Sequence, residues 1–411
     1  MKLPIRSITY SIDFNKVNSN EYQDEVSSAI SSLKEQFKSN GFFVRTYRLN
    51  IIPIKQNERL DKFLFLKKIK VLNEFAKSLD IRWYNIAFDL VRIPTKDVKT
   101  ICSIAYDIIK NFNSAFINFI VANDQEINSE AAKICSELII NISRLSSNGY
   151  DNFRVGISMN PSVYTPFFPF SFADKDLSFS IGVETGKAFI STLEKSSDKT
   201  LEVKRRDCIS NLAPPIKELD TFSRKIDSSS AQFEGMDISL APYPDEKISV
   251  IEILKLLGLD EIGANGTLFL TSFLTRILKK IIVEQDIKSV GFNGVMYSLL
   301  EDHLMCESNN KKLLSLDKII SYSALCGCGL DMVPIPGNIL VEELASIILD
   351  VAVLAIQLKK PLGVRVLPIP NKEANEFTFF DMDFLTNTRV MKLKNVSLSA
   401  KTFHEGSFYF V

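Results

Sequence analysis

Asp237 and Ser239 stand two residues apart in Asp237-Ile-Ser-Leu-Ala-Pro-Tyr-Pro244, where polar and apolar residues alternate ahead of two prolines. On a strand that spacing puts Asp237, Ser239 and Ala241 on one face and Ile238 and Leu240 on the other. A carboxylate beside a hydroxyl at the end of a buried strand can bind a ligand or move a proton, and α/β proteins place such groups there. The same Asp also suits a loop cap or an ion pair with an arginine. Further along, Cys326-Gly-Cys-Gly-Leu-Asp331 sets a thiol in a glycine-walled turn with a carboxylate beyond it. Such a thiol serves as a nucleophile or radical relay when activated, and as a small buried hydrophobe otherwise. Asp237, Ser239, Cys326 and Asp331 are the candidate catalytic residues.

Two further loops have the composition of ligand-binding backbone. In Gly263-Ala-Asn-Gly-Thr267, Gly266 lets the chain turn and Thr267 can cap the helix that follows. The result is either a plain cap or a set of free N–H groups aimed at an anion. Phe292-Asn-Gly294 interrupts an apolar strand, where a ligand or another backbone can approach closely. Gly263, Asn265, Gly266, Thr267, Asn293 and Gly294 are the candidate ligand-binding residues. Metal chemistry finds little support: His303 and Cys306 are one helical turn apart but lack partners, and C-x-C is not the C-x-x-C of zinc or redox sites. Glu184-Thr-Gly-Lys187 lacks the upstream glycine of a phosphate loop. No metal and no cofactor is expected.

Composition agrees with this restraint. The 411 residues carry 49 Lys+Arg against 49 Asp+Glu, so the broad positive field of a nucleic-acid binder is missing. With 46% hydrophobic residues the chain can bury a core that offsets its entropy, which excludes intrinsic disorder. Sixteen glycines and two histidines leave little material for phosphate loops, histidine metal sites or histidine bases. The longest apolar stretch, Ile339 to Leu358, carries Glu342, Glu343 and Asp350, so it is expected as an amphipathic buried helix, not a membrane span. The start has no signal-like apolar core, and the six scattered cysteines form no disulfide framework. A cytoplasmic, reduced protein is expected, with a small-molecule ligand or further copies of itself as partners and with neither nucleic acid nor membrane.

The elements that must position these residues alternate between the two periodicities. Strands are expected at Ile5–Ile12, Phe42–Leu49, Ile81–Phe88, Ala115–Val121, Phe153–Ser158, Leu177–Val183, Phe233–Leu240, Ser289–Tyr297, Met332–Ile335 and Leu362–Leu367. Helices of 3.6-residue spacing lie between most of them, as at Glu21–Ser39, Thr95–Asn113, Ser129–Ser146 and Thr267–Glu284. Such alternation implies a largely parallel sheet with helices outside it, and the number of strands favours a barrel. The least regular stretch is 159–176, with Pro161, Pro166, Phe167, Phe168, Pro169, Phe170 and Phe172. It suits a lid, an oligomer contact, or a loop packed on its own domain.

Taken in order, these segments resemble the domain-of-unknown-function family numbered 711, labelled for its likeness to pyruvate formate-lyase. The resemblance is strongest over Gln232–Phe377. Met236-Asp-Ile-Ser-Leu-Ala-Pro-Tyr-Pro244 resembles the family's D-[LI]-S-L-A-P-x-P, and Gly263-Ala-Asn-Gly-Thr267 resembles its G-T-H-G-T. Ala324-Leu-Cys-Gly-Cys-Gly-Leu-Asp-Met-Val-Pro-Ile-Pro336 resembles A-x-C-x-x-G-L-D-M-[IV]-x-[IV]-P, and Gly294 with Glu301-Asp302 resembles G-A-F-x-P-V-S-E-D. The resemblance implies one large α/β barrel-type domain over 1–411, similar to the ten-stranded barrel of glycyl-radical enzymes, with 368–411 as its C-terminal extension. The radical-glycine signature R-V-x-G is missing, and Gly406 sits in His-Glu-Gly-Ser-Phe instead, so glycyl-radical chemistry is not expected.

Departures from the family pattern cluster at loops. The family's histidine is Asn265 here, its F-H-G has become Phe172-Ala173-Asp174, its V-S-G-P-G turn has become Val183-Glu-Thr-Gly-Lys187, and its S-E-D serine is Leu300. Losing His removes a group that exchanges protons near neutral pH, and losing Gly narrows the backbone's approach to a ligand. Two readings follow. In one, the chain is a divergent barrel that has lost the ancestral activity and serves as a structural or regulatory assembly partner. In the other, it is an enzyme or binder that holds a small polar or anionic metabolite in its lumen through acid–base or thiol chemistry.

Overall fold

The computed structural model describes residues 2–52, 60–226, 231–246, 248–394, 396–403 and 407–409; Gly406 lies outside the described residues. Among the described residues there are eleven strands: β1 (Ile5–Ile12), β2 (Val44–Ile51), β3 (Trp83–Asp89), β4 (Ala115–Ala122), β5 (Glu126–Asn128), β6 (Val155–Met159), β7 (Ser178–Val183), β8 (Gln232–Asp237), β9 (Gly329–Pro336), β10 (Leu362–Ile369) and β11 (Ser407–Tyr409). Between them lie α1 (Asn20–Ser39), α2 (Lys62–Ser78), α3 (Thr95–Asn111), α4 (Ser129–Ser143), α5 (Gly186–Glu194), α6 (Leu201–Arg224), α7 (Val250–Leu256), α8 (Thr267–Glu284), α9 (His303–Asn310), α10 (Leu316–Ser323) and α11 (Val341–Gln357).

The strands run in the order β8-β7-β1-β2-β3-β4-β6-β10-β9, with β5 attached to β4 and β11 to β5. β1, β2, β3, β4 and β6 are mutually parallel. The parallel pairs β7/β8 and β9/β10 flank them in the opposite direction, through the antiparallel contacts β1/β7 and β6/β10. The molecule is therefore α/β with one large mixed sheet, and its continuous ladder ends at β8 on one side and β9 on the other. The strand expected at Ser289–Tyr297 lies in that gap and makes only isolated parallel bridges, Met236 with Ser289, Leu240 with Val295 and Ser298 with Asp331. Its ladder is broken because Gly291 and Asn293 turn the backbone to φ values of 80° and 47°.

Period-2 alternation sorts the strand residues between two different environments. On β4, Ala115, Ile117, Phe119 and Val121 join the large apolar core under the helices, whereas Phe116 and Asn118 point to the opposite face. The pattern repeats on β1, where Ile8, Tyr10 and Ile12 enter that core and Ser7 and Thr9 bond across the other face. Helices meet the apolar face with stripes such as Val98, Ile101, Ile104 and Ile108 of α3. Among the described residues no helix is long and apolar enough to cross a membrane.

The irregular 159–176 stretch packs on its own sheet, against the inner, polar face. The Pro166 carbonyl accepts from Ser7 Oγ at 3.3 Å, Thr9 Oγ1 at 3.4 Å and Arg48 Nη1 at 3.4 Å. The Ser171 carbonyl accepts from Asn85 Nδ2 at 2.8 Å and Asn118 Nδ2 at 3.2 Å. Loop backbone without a ladder must find buried donors, and the inward Ser, Thr, Asn and Arg side chains supply them. Phe167, Phe168 and Phe170 are buried in the same move, each contributing about 1.5–3 kcal/mol of apolar burial. Beyond β10, Phe380, Leu385 and Val390 pack with Phe116, Phe153 and Phe168 at one end of this plug.

Candidate functional site

A hollow of about 170 Å³ remains between the plug and the inner strand face. Its walls include Arg6, Arg45, Arg48 and Arg82 from β1, β2 and the approach to β3. Trp83, Phe116, Phe153, Phe167, Phe168 and Phe384 add aromatic surface, and Ser298, Glu301, Asp331 and Arg365 close the far side. Five arginines thus face two lining carboxylates, Glu301 and Asp331.

The arginines differ in how their charge is met. Arg365 of β10 grips Asp331 of β9 with two bonds, Nε to Oδ1 at 2.5 Å and Nη2 to Oδ2 at 2.9 Å. Its Nη2 also lies 3.4 Å from Glu301 Oε2. This fork-to-fork geometry is the strong form of the pair. Burial opposes the charge on Arg365, but Asp331 and Glu301 outweigh it and hold its pKa above the usual value. Burial raises the Asp331 pKa in turn, with Arg365 opposing. Arg45 is matched by Glu184, 2.7 Å from its Nε, and by Glu246.

Arg48 has no such partner. Its guanidinium lies 5.2 Å from the ring centroids of both Trp83 and Phe168, its Nη1 reaches only the Pro166 carbonyl, and its buried Nε has no hydrogen-bond partner among the described residues. Burial, reinforced by the neighbouring Arg6 charge, lowers its pKa to about 9. Arg6 donates to the Pro242 carbonyl at 2.8 Å and sits over the Phe167 and Tyr243 rings. Arg82, exposed at the rim, lies 4.6 Å from the Trp83 ring centroid. Next to Arg48, the buried Asn50 Nδ2 and Asn85 Oδ1 are likewise unpartnered.

Of the four candidate catalytic residues, only Asp331 borders the hollow. Asp237 is fully buried, and its carboxylate accepts four bonds: from Ser239 N at 2.8 Å, Ser239 Oγ at 2.5 Å, Phe292 N at 2.7 Å and Asn293 N at 3.2 Å. Burial raises its pKa against the pull of those donors. Ser239 Oγ in turn accepts from Gly294 N at 3.2 Å, and Asn293 Oδ1 accepts from Ile238 N at 3.0 Å. Asp237, Ser239, Asn293 and Gly294 are thus brought together as a clasp between the end of β8 and the 289–298 segment. Gly294 lies against Gly327, where a Cβ would stand 3.1 Å from the neighbour's Cα.

Cys326 and Cys328 are buried. The neighbouring Cys328 thiol holds the Cys326 pKa below the usual thiol value despite burial, helped by the nearby Lys360 charge, and the Cys328 pKa rises correspondingly. Cys328 packs with Phe167 and Met296 behind the wall of the hollow. The other glycine loop lies elsewhere: Gly263 donates to Thr267 Oγ1 at 3.2 Å and is held by Lys318 Nζ at 2.9 Å, while Asn265 and Gly266 are exposed. Thr267 Oγ1 closes this turn on the Ala264 carbonyl at 2.8 Å. Among the described residues no group of three or more His, Cys, Asp or Glu side chains is arranged to hold a metal.

The residues that face the hollow most directly, Arg6, Arg48, Trp83, Glu301 and Arg365, were absent from the sequence-derived set. A signal exists for Arg365, a charged residue in the otherwise apolar Gly363-Val-Arg-Val-Leu367, whereas Arg48 lies among other polar residues of Val44-Arg-Thr-Tyr-Arg-Leu-Asn-Ile51 and does not stand out.

Comparison with known proteins adds a lineage. The family model described as Uncharacterised ACR (DUF711) matches residues 1–383. A UPF0210 protein of Pyrobaculum arsenaticum is 29% identical over 259 residues, covering 61% of this chain and 56% of its own length. A UPF0210 protein of Lactobacillus delbrueckii is 28% identical over 255 residues, again 61% of this chain and 56% of the relative. These alignments span little more than half the length of those relatives. One from Thermoanaerobacter sp., at 24% identity over 424 residues, covers 98% of this chain and 92% of the relative.

Proposed function

The chain belongs to the uncharacterised family DUF711, and from that premise we propose that it binds a small organic anion in the hollow between its arginine-bearing strands and the 160–176 plug. The observation that carries this reading is the unmatched charge. Arg6, Arg48 and Arg82 line the hollow with no ion pair recorded among the described residues, while Arg45 and Arg365 are matched. An uncompensated buried guanidinium costs several kcal/mol. A carboxylate or phosphate docking on the Arg48 Nε edge would offset that cost through charge-assisted bonds. A 150 Å³ cavity holds benzene, so a hollow of about 170 Å³ suits a ligand of about six to ten non-hydrogen atoms.

The surrounding frame is best read as a ten-stranded barrel. Residues 289–298 serve as its tenth strand: Val290 N donates to the Met236 carbonyl at 3.0 Å, Leu240 N to the Gly294 carbonyl at 3.0 Å, and Gly327 N to the Val295 carbonyl at 2.5 Å. Two parallel sets of five then run in opposite directions around the plug. Acid–base or thiol catalysis gains nothing from this arrangement, because Asp237, Ser239 and Cys326 are enclosed and Asp331 is engaged by Arg365. The chain is accordingly a binding or regulatory member of its family that has lost the ancestral lumenal chemistry.

Thermal unfolding at constant ionic strength tests the ligand. Small carboxylates and phosphate esters are compared with their neutral amides and alcohols on the wild type, Arg48→Leu and the surface control Arg276→Leu. At one hundred times Kd an anion should stabilise the wild type and the control by about 2.7 kcal/mol and leave Arg48→Leu unmoved. Equal stabilisation by the neutral analogues, or an undiminished shift in Arg48→Leu, would overturn the proposal.

A further inference from the structure

Resting on that lumenal-anion reading, we infer the ligand's class: a dicarboxylate that also carries a hydroxyl or ammonium donor, that is, a hydroxy- or amino-dicarboxylic acid. Three features of the hollow lead there. The first is the shape of the Arg48 site. Trp83 and Phe168 lie at equal distance from the guanidinium, and Nη1 is used on the Pro166 carbonyl. The Nε–Nη2 edge is left without a recorded partner. That edge presents two parallel N–H donors in one plane, which a carboxylate, like a phosphate, matches bidentately.

The second feature is the charge remaining once the internal pairs are removed. With Arg365 set against Asp331, Arg48 and the half-buried Arg6 leave two positive groups inside the hollow and Glu301 one negative, while Arg82 adds a positive charge at the rim, where solvent screens it. One carboxylate for each of the two guanidiniums and a donor for Glu301 match these groups one by one, whereas a monocarboxylate leaves a guanidinium unmatched.

The third feature is an acceptor in a hollow that otherwise selects for anions. Both Asp331 oxygens are taken by Arg365. Glu301 Oε2 accepts from Ser298 Oγ and Arg365, but no bond to Glu301 Oε1 is recorded among the described residues. An open carboxylate oxygen repels a pure dianion and rewards a ligand that brings a donor to it. A hydroxyl or ammonium between two carboxylates fits both demands, and the donor then distinguishes the ligand from its deoxy analogue.

Isothermal titration of the full chain at fixed ionic strength decides this, using L-malate, L-aspartate, succinate, L-lactate and glycerol 3-phosphate. On the wild type, malate or aspartate should bind at least tenfold more tightly than succinate and than lactate. In Glu301→Met, which keeps the length and removes the acceptor, that preference over succinate should disappear while succinate itself binds as well or better. Glu301→Gln keeps the shape of the site and should cut the aspartate preference, which guards against a Met variant that fails to fold. If succinate matches malate on the wild type, or if lactate or glycerol 3-phosphate binds more tightly than either, the inference fails and the anion site stands. Should none of the anions bind, the inference and the anion site fall together.

Discussion

Arg48 and Arg365 are two guanidiniums on the same hollow with opposite energetics, and substitution should expose the difference. Arg365 is held by Asp331 and Glu301 on neighbouring strands. Asp331→Ala leaves it buried with the longer Glu301 contact as its remaining ion pair and the Phe153 carbonyl at 3.4 Å, so the variant should lose about 3–5 kcal/mol in urea unfolding. Arg48 has rings where Arg365 has carboxylates, and burial lowers its pKa. A lowered pKa in the folded state means that protonated Arg48 opposes folding throughout the neutral range. Arg48→Leu should therefore leave the ligand-free protein as stable as the wild type or more so, by up to about 4 kcal/mol. A clear loss of stability in Arg48→Leu would mean that the residue serves packing and not binding. Stability gained where binding is lost is the expected sign of a group kept for function.

At the scale of elements, the plug explains both what the sequence discloses and what it conceals. Strand and helix positions were legible because Ala115–Val121 and Thr267–Glu284 carry their periodicity openly, and the second of these is reproduced residue for residue. The irregularity of 159–176 was legible too, but its place on the inner sheet face was not. Ser7, Thr9, Asn85 and Asn118 look like solvent-facing positions in sequence, because polar alternation is the same whether the partner is water or a buried carbonyl. Arg48 was hidden for that reason. Asp237 and Ser239 were expected on one face of a strand, but β8 ends at Asp237 and Ser239 turns back on its carboxylate; their use on the backbone of 292–294 depends on residues more than fifty positions away. The plug's fit is testable at Gly363 of β10, where an added Cβ would fall on the Phe170 ring, and at Gly156 of β6, where it would meet Pro169 at 2.5 Å. Gly363→Ala should cost about 1–3 kcal/mol by overpacking. Adding Phe170→Leu should recover part of that loss, so a double-mutant cycle should give a coupling of about 0.5 kcal/mol or more. Strict additivity would show that the ring does not press on that strand.

At the scale of the whole molecule, the join between β8 and β9 depends on a short stretch of backbone that no continuous ladder secures. Isolated bridges at Ser289, Val295 and Ser298 hold it, and the Asp237 carboxylate adds bonds from Phe292 and Asn293 at the point where the strand breaks. Gly291 is needed there because at φ 80° its missing Cβ leaves room for that carboxylate. The clasp thus converts a break in the sheet into a tie across it, and it also fixes Met296 and Ser298, which line the hollow. Asp237→Ala removes all four acceptor bonds and strands buried N–H groups, each costing about 1–3 kcal/mol. The expected outcome is local before it is global. Amides of 290–298 should lose hydrogen-exchange protection while those of β1 to β4 keep theirs, because the parallel core on the other side does not rely on this join. Anion affinity should fall in the same variant although Asp237 touches no ligand, since one wall of the hollow is no longer fixed. Uniform loss of protection across all strands would instead make the join part of a single cooperative unit, and unchanged protection at 290–298 would show that the bridges alone suffice.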